Sequence, residues 1–556
     1  MAEESGNLSG STGVFSNCAD ELRPQTALKV GNNVSMTRMG VISPRYAGCT
    51  RQRETVFNGG DEYYGYGTYS DKVGNEYLLQ QVGDELQHYN VSTQTEAVIK
   101  TGLVLTVASG RKALACLKMF VPYSANDPFM VYTNGIDIPQ KITEAAGVFT
   151  PGNLQLNGVN FGSAALGANL AAKTPSTPRY CEPFLDRMVF CGFAGQSAYD
   201  VLFTNAGSTE ACTQAAPAVA TDGGLVQLDP QLGAVTGCKA FRISNDQNDQ
   251  ILLIGQERGV SYATGTNATN FKCYTLTAEF GIPSNNAWIQ LNSDLWFLST
   301  DGWRSFGNTI ANSTLQPSSM TYPIQDLISR INPAQAYQAH AVHHKKYMEI
   351  QVWVPIDGDT ECKNAFVFNY NTGGDPAHPQ PIIFTKDGFS LACSIYFGKE
   401  MYGGTYDGLI QQFYTGNTYD GDAMTWQITP ALIRGGDPEC SYTVEKLTVC
   451  ADGPAQKFVV NQSYYARTIE DGFIGSNRFD SNPIDYEYNT GAVEGSVLGT
   501  WVLGSSGLPA EIPRRFDFMA DGEGYAFEVS LSGNTTDHIL DWTGIYYRLE
   551  SGSRET

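Results

Sequence analysis

Period-two alternation of apolar and polar side chains, punctuated by Asx-Gly pairs, constrains this chain more than any other feature. Successive side chains of a strand point to opposite faces, so alternation puts one face on a core and the other outward. In Tyr347 to Pro355, Met348, Ile350, Val352 and Val354 share one face while Glu349 and Gln351 take the other. The same rule sets Phe527, Val529 and Leu531 against Glu528 and Ser530, and Ile545, Tyr547 and Leu549 against Arg548 and Glu550. Asn134-Gly135, Asp301-Gly302, Asp357-Gly358, Asp387-Gly388, Asp407-Gly408 and Asp521-Gly522 supply residues that accept the positive φ of tight hairpins. With 58 glycines, 12% aromatic and only 17% charged residues, the balance favours strands joined by turns over charge-laced helices.

Four strands read consecutively as Ala365 to Tyr370, Pro381 to Thr385, Ser390 to Phe397 and Glu400 to Tyr414, in about fifty residues, the size of one propeller blade. A unit of similar proportions runs from Ala240 to Ser244 through Ile251 to Ile254 and Val260 to Ala263 to Cys273 to Thr277. One short helix is predicted over Pro323 to Ile331, where Ile324, Leu327, Ile328 and Ile331 fall on one face and Pro333 stops it. The expected fold class is mainly β: a β-propeller with an extended N-terminal arm and a C-terminal β-sandwich-like domain. The arm and first strand cover 1–75, where Gly, Ser, Asn and Thr abound, the propeller 76–430 and the sandwich 431–556.

The net charge of −22 repels phosphate, which disfavours tight nucleic-acid binding but not a wall past which DNA slides without sticking. The segment Met1 to Leu8 has no basic and no apolar region of a secretory signal, so synthesis and retention in a cytosol are expected. No apolar run reaches the ~20 residues of a membrane helix. The twelve cysteines include no Cys-x-x-Cys pair and read as buried, reduced thiols.

Motifs that carry chemistry are scarce. His340, His343 and His344 form the one histidine cluster, but a metal would need further ligands, and adjacent residues of a strand diverge. Ser299-Thr300-Asp301-Gly302-Trp303 is similar to a sialidase Asp-box but with the wrong spacing, and reads as a folding turn. Asn245-Asp246-Gln247-Asn248-Asp249 and Asp420-Gly421-Asp422 are oxygen-rich but do not match the twelve-position calcium loop. No phosphate loop, nucleophile elbow or His-Glu-x-x-His occurs. The sequence therefore nominates no catalytic, cofactor-binding or metal residue; no cofactor and no enzymatic activity are expected.

Segments spread from Asn33 to Arg548 resemble, in order and spacing, the tail nozzle or tail tubular protein B-like (head-to-tail hub) family of short-tailed bacteriophages. They are Asn33 to Arg45, Val131 to Lys141, Phe184 to Gly192 with Tyr199 to Thr204, and Ile251 to Gly255 through Gly281-Ile282 to Leu295 to Gly302. Near the end, Arg515 to Phe518, Gly522 to Gly524 and Trp542 to Tyr547 continue the similarity. The resemblance implies a structural protein of the virion tail, made in the host cytoplasm. Six copies would surround a channel through which DNA is retained and then ejected without sequence-specific binding. A portal and adaptor ring would sit above, with tail fibres or spikes at the side. The alternative expectation is a propeller-type receptor- or glycan-binding protein, and after it a glycosidase with paired carboxylates.

Overall fold

The computed structural model describes residues 3–38, 41–44, 48–52, 56–122, 127–163, 166, 170, 173–243, 250–265, 269–291, 294–307, 320–370, 382–416, 418–435, 440–451, 455–470, 473–480, 484–489, 514–518, 523–535 and 540–554. Among the described residues, antiparallel meanders succeed one another along the chain. Blade one is Tyr63–Ser70, Glu76–Val82, Glu85–Asn90 and Thr95–Lys100, and blade two is Cys116–Phe120, Phe129–Thr133, Gln140–Ala145 and Val148–Asn153. Blade three is Tyr180–Phe184, Arg187–Cys191, Asp200–Phe203 and Gly224–Gln227, and blade four is Val235–Arg242, Gln250–Gln256, Val260–Thr264 and Lys272–Thr277. Blade five has, among the described residues, the three strands Trp288–Leu291, Asp294–Ser299 and Gly302–Ser305. Blade six is His340–His344, Glu349–Val354, Asn364–Asn369 and Ile382–Lys386. Blade seven is Leu391–Phe397, Glu400–Thr405 and Ile410–Phe413, completed by Cys49–Arg51 from far upstream.

First strands of successive blades abut around a ring, blade four meeting blade five at its second strand, and blade seven returns to blade one. The apolar clusters follow the same ring. Tyr69, Leu79 and Leu86 of blade one pack on Leu117, Met130 and Tyr132 of blade two. Phe184 and Phe203 of blade three meet Leu252 and Ile254 of blade four, whose Ile251 and Leu253 face Leu295 and Phe297 of blade five. A blade covered on both faces needs apolar side chains at every position of its middle strands, which is why Ile251-Leu252-Leu253-Ile254 runs without alternation. Closure by Cys49–Arg51 removes the unpaired edge of blade seven, and Arg51 Nε donates to Asp420 Oδ2 at 2.7 Å to hold it there.

The extended N-terminal segment is laid onto the C-terminal half. Glu3–Leu8 pairs antiparallel with the last strand, Trp542–Arg554, register Leu8↔Ile545. That last strand also pairs with Cys440–Ala451, and Cys440–Ala451 pairs with Arg514–Phe518. The opposing sheet contains Leu28–Asn32, Thr425–Pro430, Ala526–Asn534 and Ala455–Glu470. Trp542, Ile545 and Leu549 from one sheet and Ile428, Val460 and Leu531 from the other share a core that also holds Trp303 and Phe368 of the propeller. Asn32 pairs with Thr385, so the sheet of blade six runs on into the sandwich.

The strands expected from Ala365 to Tyr414 exist, but they belong to two blades rather than one. The closing strand arrives from residues 49–51, which shifts the phase by which chain order maps onto blades. A second correction concerns Glu349 and Gln351, expected to face outward: both are fully buried, because blade seven covers their face of the strand while Ile350, Val352 and Val354 on the other face pack toward blade five and the sandwich. Tyr414 OH donates to Glu349 Oε2 at 2.6 Å and Gln351 Nε2 donates to Tyr414 OH at 2.7 Å, so the polar face carries an internal network. The predicted helix is short, Gln325–Ile328 after a 3-10 turn at Tyr322–Ile324, with Ile324 and Ile328 buried.

Candidate functional site at the propeller axis

The first strand of each blade faces the axis, and in three of them a charged residue sits mid-strand between apolar neighbours. Lys118 stands in Cys116–Phe120, Glu182 in Tyr180–Phe184 and Lys239 in Val235–Arg242. Glu182 is buried at 3% exposure and bridges both lysines: Lys118 Nζ lies 3.0 Å from Oε2 and Lys239 Nζ 2.9 Å from Oε1. The Ala240 N–H also donates to Oε1, at 3.3 Å. Burial disfavours charge on all three groups. At Glu182 the two ammonium groups outweigh it and hold the carboxyl below its ordinary value. At Lys118 the nearby carboxylate outweighs burial and the pKa is raised, whereas at Lys239 burial prevails and the pKa is lowered.

These lysines line an axial cavity of about 140 Å³ together with Trp288, His340 and Ser394. Trp288 Nε1, His340 Nε2 and Ser394 Oγ have no hydrogen-bond partner among the described residues. A buried polar atom without a partner is costly, so the cavity is built for a polar occupant. Its volume corresponds to about five waters and cannot admit a duplex whose major groove alone is about 12 Å wide.

Beside the cavity, Cys116 Sγ and Cys181 Sγ lie 3.9 Å apart across blades two and three, both as free thiols. Burial and Cys116 keep the Cys181 thiol well above its ordinary value. A larger cavity of about 540 Å³ lies where blade six meets the sandwich. Charged groups on its wall are largely neutralised in pairs, Arg23 with Asp20, Lys29 with Glu528 at 2.6 Å, and Arg330 with Asp357.

The sequence candidates fall elsewhere or only partly here. His340 lines the axial cavity and its Nδ1 lies 3.3 Å from the Gln338 carbonyl oxygen. His343 bonds through Nε2 to Tyr370 OH, and His344 packs on Tyr347 and Tyr414, so the three do not converge. Burial pushes all three down to about 4, which leaves them neutral near pH 7. Among the described residues no group of three or more His, Cys, Asp or Glu is arranged to hold a metal ion.

Ser299 to Trp303 is the hairpin between two strands of blade five: Ser299 Oγ donates to Gly302 O at 2.6 Å, Arg304 pairs with Asp301, and Trp303 is buried against Phe368. Burial opposes the Asp301 charge, but Arg304 and Ser299 outweigh it and lower the pKa. Asp420 is occupied by Arg51, and Asn245 to Asp249 lie outside the described residues. Sequence reading missed Lys118, Glu182 and Lys239; the signal at Lys118 and Glu182 was a lone charge inside a short apolar strand, and at Lys239 a charge between Cys238 and Ala240 in mid-strand.

No family model and no curated protein matches this chain. Among solved structures it is similar to a chain of the mitotic checkpoint complex, at 11% identity and TM-score 0.36, covering 67% of this chain and 92% of that one. It is also similar to the extracellular domain of a putative one-component system from B. thetaiotaomicron, at 8% identity and TM-score 0.35, covering 81% of this chain and 48% of that one. A third is the β-propeller domain of Cps50 (Swd1) from Myceliophteria thermophila, at 10% identity and TM-score 0.35, covering 65% of this chain and 99% of that one.

Proposed function

We propose that this chain is a structural subunit of a short-tailed phage tail, one of six copies of a nozzle or hub ring through which the genome is held and then ejected. The observation that carries the reading is the weave of the chain. Its first and last strands pair in one sandwich, and a sheet of that sandwich continues into blade six. Propeller and sandwich therefore cannot swing independently, as a wall that transmits load between neighbours requires. The resemblance in segment order supports the same reading, and so does the net charge of −22, which favours passage of DNA over adhesion. The propeller serves as a rigid body whose axis is plugged by side chains, and the DNA path runs between copies.

Light scattering on the full chain, alone and with the portal and adaptor proteins of its source, tests this. A mass of six copies, formed alone or on the adaptor, is the expected result. A monomer that ignores both partners but binds glycans would transfer the assignment to a receptor-binding propeller, for which the cavity of about 540 Å³ at the junction is the site to probe.

A further inference from the structure

The axial cavity holds an imbalance that the assembly role does not use. Two ammonium groups, Lys118 and Lys239, share the single carboxylate of Glu182. Each lysine carries three N–H donors, more than its single ion pair with Glu182 can use. Trp288 Nε1–H adds a donor, and the Ser394 and Tyr66 hydroxyls add groups that can donate or accept, all three unpartnered among the described residues. Donors in excess of acceptors, with positive charge in excess of negative, describe an anion site.

His340 refines the ligand. The Gln338 carbonyl oxygen can only accept, so His340 Nδ1 carries the proton and Nε2 presents a bare lone pair. Burial keeps the ring neutral, which preserves that lone pair at physiological pH. An anion that also carries an O–H would satisfy Nε2; one without it would leave the buried acceptor unpaired. At about 140 Å³ the cavity has room for a tetrahedral oxyanion and a water or two, and none for a nucleotide.

We propose that the propeller axis binds one small protonated oxyanion of the hydrogenphosphate class between Lys118 and Lys239, with the His340 Nε2 accepting its O–H. The occupant joins blades two, four and six through one bridging group and so acts as a pin at the centre of the ring. The inference does not depend on the tail assignment, since it concerns the axis of a single chain.

Calorimetric titration of the full chain with inorganic phosphate, and separately with sulfate, at an ionic strength fixed by chloride, tests it. Saturable binding of one phosphate per chain is expected, with sulfate weaker by about tenfold. Lys239→Met should weaken phosphate at least tenfold, and His340→Gln should narrow the preference for phosphate over sulfate. Circular dichroism checks the fold of each variant. If Lys239→Met does not fold, Ser394→Ala, which keeps every charge, takes its place and should weaken phosphate several-fold. No saturable heat with phosphate beyond that with chloride would show that water alone fills the cavity and overturn the proposal. So would phosphate affinity unchanged in the folded Lys239→Met or, where that fails to fold, in Ser394→Ala. Equal affinity for sulfate would remove His340 from the site.

Discussion

Replacing Glu182 by Gln keeps the shape of the axial bridge and removes the one charge that two lysines share. Breaking a buried ion pair from one side costs about 3–5 kcal/mol, because a charge is left without compensation. Here the lysine side chains are 26% and 29% exposed toward the axial cavity, and water reaching them offsets part of that cost. The discounted loss is about 2 kcal/mol. Because the urea slope of a chain this long exceeds the ~3 kcal/mol per molar of small proteins, the midpoint should fall by less than about 0.7 M. Tryptophan fluorescence reads the transition, since Trp288 lines the cavity. Raising salt from about 0.1 to about 1 M cuts the screening length from ~10 to ~3 Å and should change the loss little, unlike that of an exposed pair such as Lys72–Asp127. Adding Lys239→Met to Glu182→Gln should recover part of the stability by removing one stranded charge. The reasoning is refuted if the single variant unfolds at the parent midpoint, or if the double variant is no more stable than the single.

Ring closure can be attacked at Gly404 of blade seven, where an added Cβ would stand 2.3 Å from Tyr63 Cγ of blade one. Gly404→Ala should therefore cost about 1–3 kcal/mol, read as a lowered melting temperature, whereas Gly147→Ala, at a positive φ of 82° but with open space around it, tests strain without contact. Acid should destabilise the chain below neutrality: the three clustered histidines are lowered to about 4 by burial, while their unfolded value is near 6.5. The unfolded state takes up protons that the folded state refuses, so stability falls as pH drops from about 6.5 to about 4. Below the ordinary Glu value of 4.5, protonation of Glu182 adds to the loss, because its folded pKa is lowered. Thiol titration of the native chain should label Cys18, Cys273 and Cys440 first, the three that are only partly buried, and reach all twelve after unfolding. Rapid reaction of more than three would contradict the packing between blades.

Much of the fold was legible because strands announce themselves locally. Asp294 to Ser299 and Gly302 to Ser305 flank an Asp-Gly turn, and the unit from Ala240 to Thr277 corresponds to blade four. Long-range pairing was not legible. Nothing in Cys49-Thr50-Arg51 says that it completes a sheet begun more than three hundred residues later, and nothing in Glu3 to Leu8 names Ile545 to Glu550 as its partner. Alternation also misleads where both faces are covered: Glu349 and Gln351 look solvent-facing in sequence and are buried because a second blade and Ser35 lie against them. The axial charges were passed over for the converse reason, since a single Lys in Cys116 to Phe120 reads as an ordinary exposed position until the ring brings it to Glu182.

Negative-stain imaging of the purified chain, alone and mixed with the portal and adaptor proteins of its source, tests the central claim most directly. Six-fold rings docked coaxially on the adaptor, each lobe a solid propeller and the open channel at the ring centre, are the predicted result. Isolated particles that never join the adaptor would contradict the tail assignment and leave a propeller whose partner must be sought among soluble ligands.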